Sequence, residues 1–210
     1  MNPTSINFGQ VYLYSPSAEE NVTVKNIGTS TLSISGVSLT LGPGTNSGDF
    51  TFFNGCPSKL TAGSSCIIKV SSYPDQVGTL TATLNVADNA AGSPQQVKLQ
   101  TTVIDPRASI SPYSLNFGTV EVGHSSTQKL TVTNTGTTAL DISKAGVTGA
   151  DASNFKPTNL CPSSLAASAS CTIEVTFTPS TTGSRTATLT VTDNAKTSPQ
   201  SAPLTGKGSN

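Results

Sequence analysis

The sequence predicts an all-β chain of two tandem β-sandwich domains, and three observations predict it. Apolar residues alternate with Thr and Ser at a spacing of two, the period of a strand with one face buried. Turn residues interrupt these runs about every 8–12 positions. The whole pattern is then written a second time, 105–109 residues later.

Taken in order, the elements pair off between the copies. Ile6-Asn7-Phe8-Gly9 opens the first and recurs as Leu115-Asn116-Phe117-Gly118. Val22 and Val24 lead to the turn at Asn26-Ile27-Gly28, as Leu130, Val132 and Asn134 lead to Thr135-Gly136. Leu32 and Ile34 match Leu140 and Ile142. From Phe50/Phe155 onward the offset is a constant 105, so copy one holds about three extra residues, expected near Leu41-Gly42-Pro43-Gly44 as a longer loop. Ile68 and Val70 match Ile173 and Val175. Phe177 then aligns with Ser72, which removes a large side chain from the first core; Tyr73, Phe52 and Phe53 are at hand to fill the space. Ala82, Leu84 and Val86 alternate with polar neighbours, as do Ala187, Leu189 and Val191 with Thr186, Thr188, Thr190 and Thr192. Thr, being β-branched, suits the outward side of a strand. Asp88-Asn89 and Asp193-Asn194 turn the chain, and Ser93-Pro94-Gln95 and Ser198-Pro199-Gln200 lead into the last strand. About seven strands per copy result, and the favoured architecture is an immunoglobulin-like sandwich.

A period this long is a complete sandwich, not a solenoid unit, so two self-sufficient domains are expected at residues 1–104 and 105–210. The boundary falls at Ile104-Asp105-Pro106-Arg107, where proline breaks the pattern. So short a linker leaves the domains little freedom to tumble. Copy two opens with Ala108-Ser109-Ile110 before Ser111-Pro112, whereas copy one has only Met1 before Asn2-Pro3. The first domain is therefore expected to lack part of its opening strand, and the chain to be a fragment of a longer array. Met1 is not followed by a basic and then an apolar region, so no signal peptide is read.

Composition excludes several functions. Eleven Lys+Arg balance eleven Asp+Glu, and only 10% of residues are charged. Nucleic-acid binding needs clustered cations, which this chain lacks. No run approaches the ~18 apolar residues of a membrane span.

The four cysteines form two equivalent pairs, Cys56/Cys66 and Cys161/Cys171. A metal or redox site is disfavoured, because there is no Cys-x-x-Cys and the one His lies in copy two. One disulfide per domain is expected instead. Closing so short a loop stabilises by roughly 2.5–3 kcal/mol in the chain-entropy model, and such bonds persist outside the reducing cytoplasm. His124 follows Gly123 in a turn with no nucleophile specified near it, and reads as an exposed loop residue. Asp88-Asn89 and Asp193-Asn194 read as turns rather than calcium ligands, since no second carboxylate cluster accompanies them. No glycine-rich phosphate loop is present. Asn21-Val22-Thr23 fits the glycosylation sequon, a coincidence-grade match. Tyr12 and Tyr14 alternate on one strand of copy one, and paired outward aromatics can form a binding platform.

The ordered set Ser111-Pro112-Tyr113-Ser114-Leu115-Asn116-Phe117-Gly118, Val132-Thr133-Asn134-Thr135-Gly136, Cys161-Pro162, Ser170-Cys171-Thr172-Ile173 and Val175-Thr176-Phe177-Thr178-Pro179 carries a resemblance. Val191-Thr192-Asp193-Asn194-Ala195 and Leu204-Thr205-Gly206-Lys207-Gly208 complete it. The chain resembles the bacterial choice-of-anchor D repeats, relatives of the abnormal-spindle/Hydin-type immunoglobulin-like domains and of the major-sperm-protein sandwich. Copy one matches less well, with Ser71-Ser72-Tyr73-Pro74 in place of Thr176-Phe177-Thr178-Pro179. The resemblance implies tandem immunoglobulin-like domains of large secreted or surface-anchored bacterial proteins, with no shared catalytic residues.

The expectation is therefore a non-catalytic extracellular or cell-surface module, structural or adhesive, without cofactor or metal. Its partners are other proteins or itself, through sandwich edges, because a neutral surface has little charge repulsion to prevent association. The alternative is a carbohydrate- or peptide-binding accessory module that uses Tyr12 and Tyr14, with glycans among its partners.

Overall fold

A computed structural model describes all 210 residues. They form strands and a single 3-10 turn at Ala152–Asn154, and divide into two compact units, Met1–Ile104 and Asp105–Asn210.

The first unit holds β1 (Ser5–Tyr12), β2 (Glu20–Lys25), β3 (Leu32–Leu41), β4 (Phe50–Asn54), β5 (Lys59–Leu60), β6 (Ser65–Ser72), β7 (Gly78–Asp88) and β8 (Gln95–Ile104). Its sheets have the orders β1-β8-β7-β3-β5 and β2-β6-β4. The second unit holds β9 (Ala108–Ser111), β10 (Leu115–Glu121), β11 (Ser126–Asn134), β12 (Leu140–Thr148), β13 (Phe155–Asn159), β14 (Ser164–Leu165), β15 (Ser170–Phe177), β16 (Gly183–Asp193) and β17 (Gln200–Ser209). Its orders are β10-β17-β16-β12-β14 and β13-β15-β11-β9. The count exceeds seven per domain partly because β5 and β14 have two residues each, too few to show a period. The counterpart of β9 in the first unit is one bridge, Asn2 to Thr23.

Alternation places the cores. β7 buries Leu80, Ala82, Leu84 and Val86, and β16 buries Ala187, Leu189 and Val191. Each unit closes its own cluster, and the two clusters share no residue.

Every strand pair is antiparallel except β1 with β8 and β10 with β17, which are parallel. Both parallel ladders carry a bulge, between Asn7 and Gln10 and between Asn116 and Thr119. The Asn-Phe-Gly motif builds it. The Asn7 side-chain oxygen accepts the Gly9 N–H at 2.9 Å, and Gly9 has φ 70°. Asn116 and Gly118 repeat this at 3.0 Å and φ 65°. Glycine adopts that left-handed conformation without the Cβ clash other residues meet.

The Asn-x-Gly turns conceal a second device. Asn26 and Asn134 are buried, yet both are fully bonded. Asn134 donates to the Thr138 and Leu165 carbonyls at 2.8 and 3.0 Å and accepts the Gly136 N–H at 2.9 Å. Asn26 makes the same three bonds to Ser30, Leu60 and Gly28. A buried amide is tolerated because its polar atoms are paired.

The space opposite Ser72 is filled by none of the expected rings in full. Tyr73 and Phe53 are exposed, and Phe52 is half-buried. In domain two, Phe177 packs on Phe155 and Phe117, with centroids 4.7 and 5.6 Å apart. A Cβ on Gly206 would lie 2.6 Å from its ring. The position 105 residues before Gly206 is Thr101, which is fully buried like Ser72. The first domain therefore has a Ser/Thr pair at the positions of Phe177 and Gly206, with buried Leu80 and Val103 where domain two has Arg185 and Gly208. The extra residues of copy one lie in the loop from Gly42 to Asp49, between β3 and β4.

Candidate functional site

The cysteines are joined within each domain, Cys56 to Cys66 and Cys161 to Cys171, with Cα separations of 5.1 and 5.0 Å. A local turn presents each loop cysteine. The Asn54 side chain accepts the Cys56 N–H at 2.9 Å, and Asn159 accepts the Cys161 N–H at 3.0 Å. The bonds pin the loop after β4 and after β13 to the neighbouring strand.

The turns at Asp88 and Asp193 are held by their own side chains. Asp88 accepts the Ala90 N–H and Asp193 the Ala195 N–H, both at 2.9 Å. Ser93 and Ser198 accept the N–H of Asp88 and Asp193 in return. These carboxylates are occupied in turn formation, as the Asp-Asn pattern implies. Asp193 differs from its counterpart in one respect: its Oδ2 is buried without a hydrogen-bond partner. Burial pushes its carboxyl above the usual range, more than the Ala195 N–H and the Ser198 and Gln200 side chains draw it down. His124 is exposed, with Nδ1 3.6 Å from a Glu121 carboxylate oxygen.

Tyr12 and Tyr14 do not alternate on one strand. β1 ends at Tyr12, which is half-buried. Tyr14 lies beyond it in a turn closed by the Ser15 N–H on the Tyr12 carbonyl at 3.0 Å, with φ 53°. The turn forms because the Leu13 N–H bonds the Ile104 carbonyl at the end of the β8 ladder, and the Tyr14 N–H then turns to Pro74, both at 2.9 Å. Two tyrosines that leave on different elements do not share the strand face a stacking platform needs.

A groove of about 520 Å³ opens in domain one between the loop Val24–Leu32 and the turn Asp88–Ala91, with Ile27 exposed in that loop. In domain two the matching loop is covered by the chain leading into β9. The Thr135 N–H donates to the Arg107 carbonyl at 2.8 Å, and the Thr137 N–H to the Asp105 carbonyl at 3.0 Å.

The sequence reading missed a difference between the sheet edges. β4 and β13 each border a sheet. β13 carries Lys156 and Pro157, whereas the same positions in β4 are Thr51 and Phe52. Phe53 and Ile67 are 68% and 47% exposed, where domain two has Thr158 and Thr172. Comparing the copies position by position at the 105-residue offset is the signal that finds these differences.

Residues 1–102 match the model of the HYDIN/CFA65/VesB-like, Ig-like domain. Residues 103–201 match that of the abnormal spindle-like microcephaly-associated, ASPM-SPD-2-Hydin domain. No curated protein matches the chain. Among solved structures, a protein of unknown function from Porphyromonas gingivalis W83 is 10% identical, with a TM-score of 0.43 over 94% of this chain and 93% of that one. PapD-like domain 7 of human CEP192 is 22% identical, with a TM-score of 0.38 over 49% of this chain and 85% of that one. The secreted serine protease VesC from Vibrio cholerae is 10% identical, with a TM-score of 0.40 over 82% of this chain and 45% of that one.

Proposed function

From a chain whose two halves match HYDIN/CFA65/VesB-like and ASPM-SPD-2-Hydin immunoglobulin-like models, we propose that this protein is a structural link. It is a pair of load-bearing, non-catalytic modules within a larger secreted or surface-anchored bacterial protein. One observation carries this reading: in each domain the first long strand pairs parallel to the last. Once the short leading segments, the Asn2 bridge or β9, have given way, a pull on the two ends of a domain drags β1 along β8, or β10 along β17, in opposite directions. The rungs of the ladder are loaded together in shear. Were the same strands antiparallel, their loaded ends would leave from one side and the rungs would open singly. The two disulfides support an oxidising, extracellular setting.

Single-molecule force spectroscopy on the chain held at its termini tests the proposal. Two separate unfolding events are expected, each a discrete force peak. Gradual lengthening at low force, with no discrete events, overturns it.

A further inference from the structure

We propose that β4 of domain one is a pairing edge for a second copy of this chain, an inference that gives the structural link a self-association site. Most other sheet borders are guarded. β5 and β14 are two residues long, and β1 and β10 are broken by bulges. β2 ends in the charged residues Glu20 and Lys25 and is bridged by Asn2. β9 is four residues long, and β13 has Pro157 at its centre. Short strands, bulges, charges and proline are the devices that blunt an edge. β4, Phe50-Thr51-Phe52-Phe53-Asn54, has none of them beyond modest length.

The backbone pattern shows what Pro157 does and what β4 leaves open. The Asp49 carbonyl accepts the Tyr73 N–H, and the Gly55 N–H donates to Ile67. Thr51 and Phe53 share that alternation and turn their polar groups to β6, so Phe50, Phe52 and Asn54 turn theirs outward. In domain two the bonds of Asn154 with Thr178 and of Leu160 with Thr172 set the same phase. Pro157 thus stands at the outward position and removes the donor a new strand needs, without loss of a bond to β15. Phe52 occupies the same place and keeps its N–H.

The occupant is argued from charge and from size. No charged residue lies between Phe50 and Pro57, and the whole chain has zero net charge, so two copies meet without repulsion. Antiparallel pairing centred on Phe52 sets Phe52 against the partner's Phe52, and Thr51 against the partner's Phe53. The two Phe53 rings become diagonal neighbours, within reach of each other, with Ile67 beside each. The seam is about 17 Å long and falls well below the ~1,600 Å² of a standard stable interface. Association is therefore weak and concentration-dependent.

Sedimentation velocity on the intact chain, from micromolar to millimolar concentration, tests this. The wild-type chain is expected to form dimers. Phe53→Lys, which alters an exposed side chain, is expected to weaken dimerisation at least tenfold; because Lys69 lies opposite it on β6, its melting curve is recorded as well. Phe52→Pro, which copies domain two, is expected to do the same; because Phe52 is half-buried, its melting curve is recorded alongside. Hydrogen exchange at the Phe52 amide is expected to slow as the dimer forms. A chain monomeric throughout, or a dimer indifferent to Phe53→Lys, overturns the proposal. So does a dimer in which the Phe52 amide exchanges as fast as in the monomer. None of these outcomes touches the load-bearing reading, which rests on β1/β8 and β10/β17 and fails only in the force experiment.

Discussion

At Phe177, a ring stacked on Phe155 occupies the ground that a Cβ on Gly206 would need, and in domain one the same two positions hold the buried Ser72 and Thr101. Gly206→Thr alone is expected to overpack domain two and lower its stability by about 1–3 kcal/mol. Phe177→Ser alone leaves a cavity and is expected to lower it by about 3–5 kcal/mol. The double substitution should recover part of both losses, with a coupling of about 0.5–3 kcal/mol between sites in contact. Urea midpoints of the four proteins measure it, and strict additivity would refute the exchange. Asp193 gives a pH dependence of known sign. Its folded carboxyl binds the proton more tightly than the unfolded one, because burial disfavours the charge. Its contribution is therefore fully present below the ordinary carboxylate range and lost as pH rises through the raised value. Asp193→Asn should raise the neutral-pH midpoint and flatten the pH dependence just above the ordinary carboxylate range. A variant less stable than wild type at pH 7 would contradict this.

Among the elements, those with alternating apolar residues were legible before any coordinates, and the rest were not. β7 and β16, at eleven residues each, contain several full periods. β5 and β14 contain none, and they exist because the loops containing Pro57 and Pro162 pass beside β3 and β12. Tyr14 looked like a strand residue because spacing alone does not reveal where a ladder runs out. The disulfides act at this scale, since each pins one loop to one strand. Replacing Cys161 and Cys171 together by Ser is expected to lower the stability of domain two by about 2.5–3 kcal/mol. Differential scanning calorimetry should show that domain moving to lower temperature while domain one stays, because the two cores share no residue. A coupled shift of both domains would refute that independence.

For the whole molecule, the repeat makes each domain a control for the other. A Thr- and Ser-rich sequence with few charged residues belongs to both copies. The exposed Phe53–Ile67 pair and the unblocked β4 edge belong to one. Domain two is closed at this edge by Pro157. The proposed pairing edge therefore lies in copy one alone, whereas the proposed load-bearing strand pair is present in both. The force and sedimentation experiments address these two roles separately.

By itself the sequence determined the fold class, the duplication and the positions of most strands, because periodicity and turn residues are local properties of a chain. The pairing of first strand with last, the Phe/Gly for Ser/Thr exchange and the outward phase of Phe52 were decided only in the tertiary structure. Each depends on which residues, distant in sequence, come to lie side by side. Ser72 and Thr101 each look unremarkable until the fold sets both in the same core.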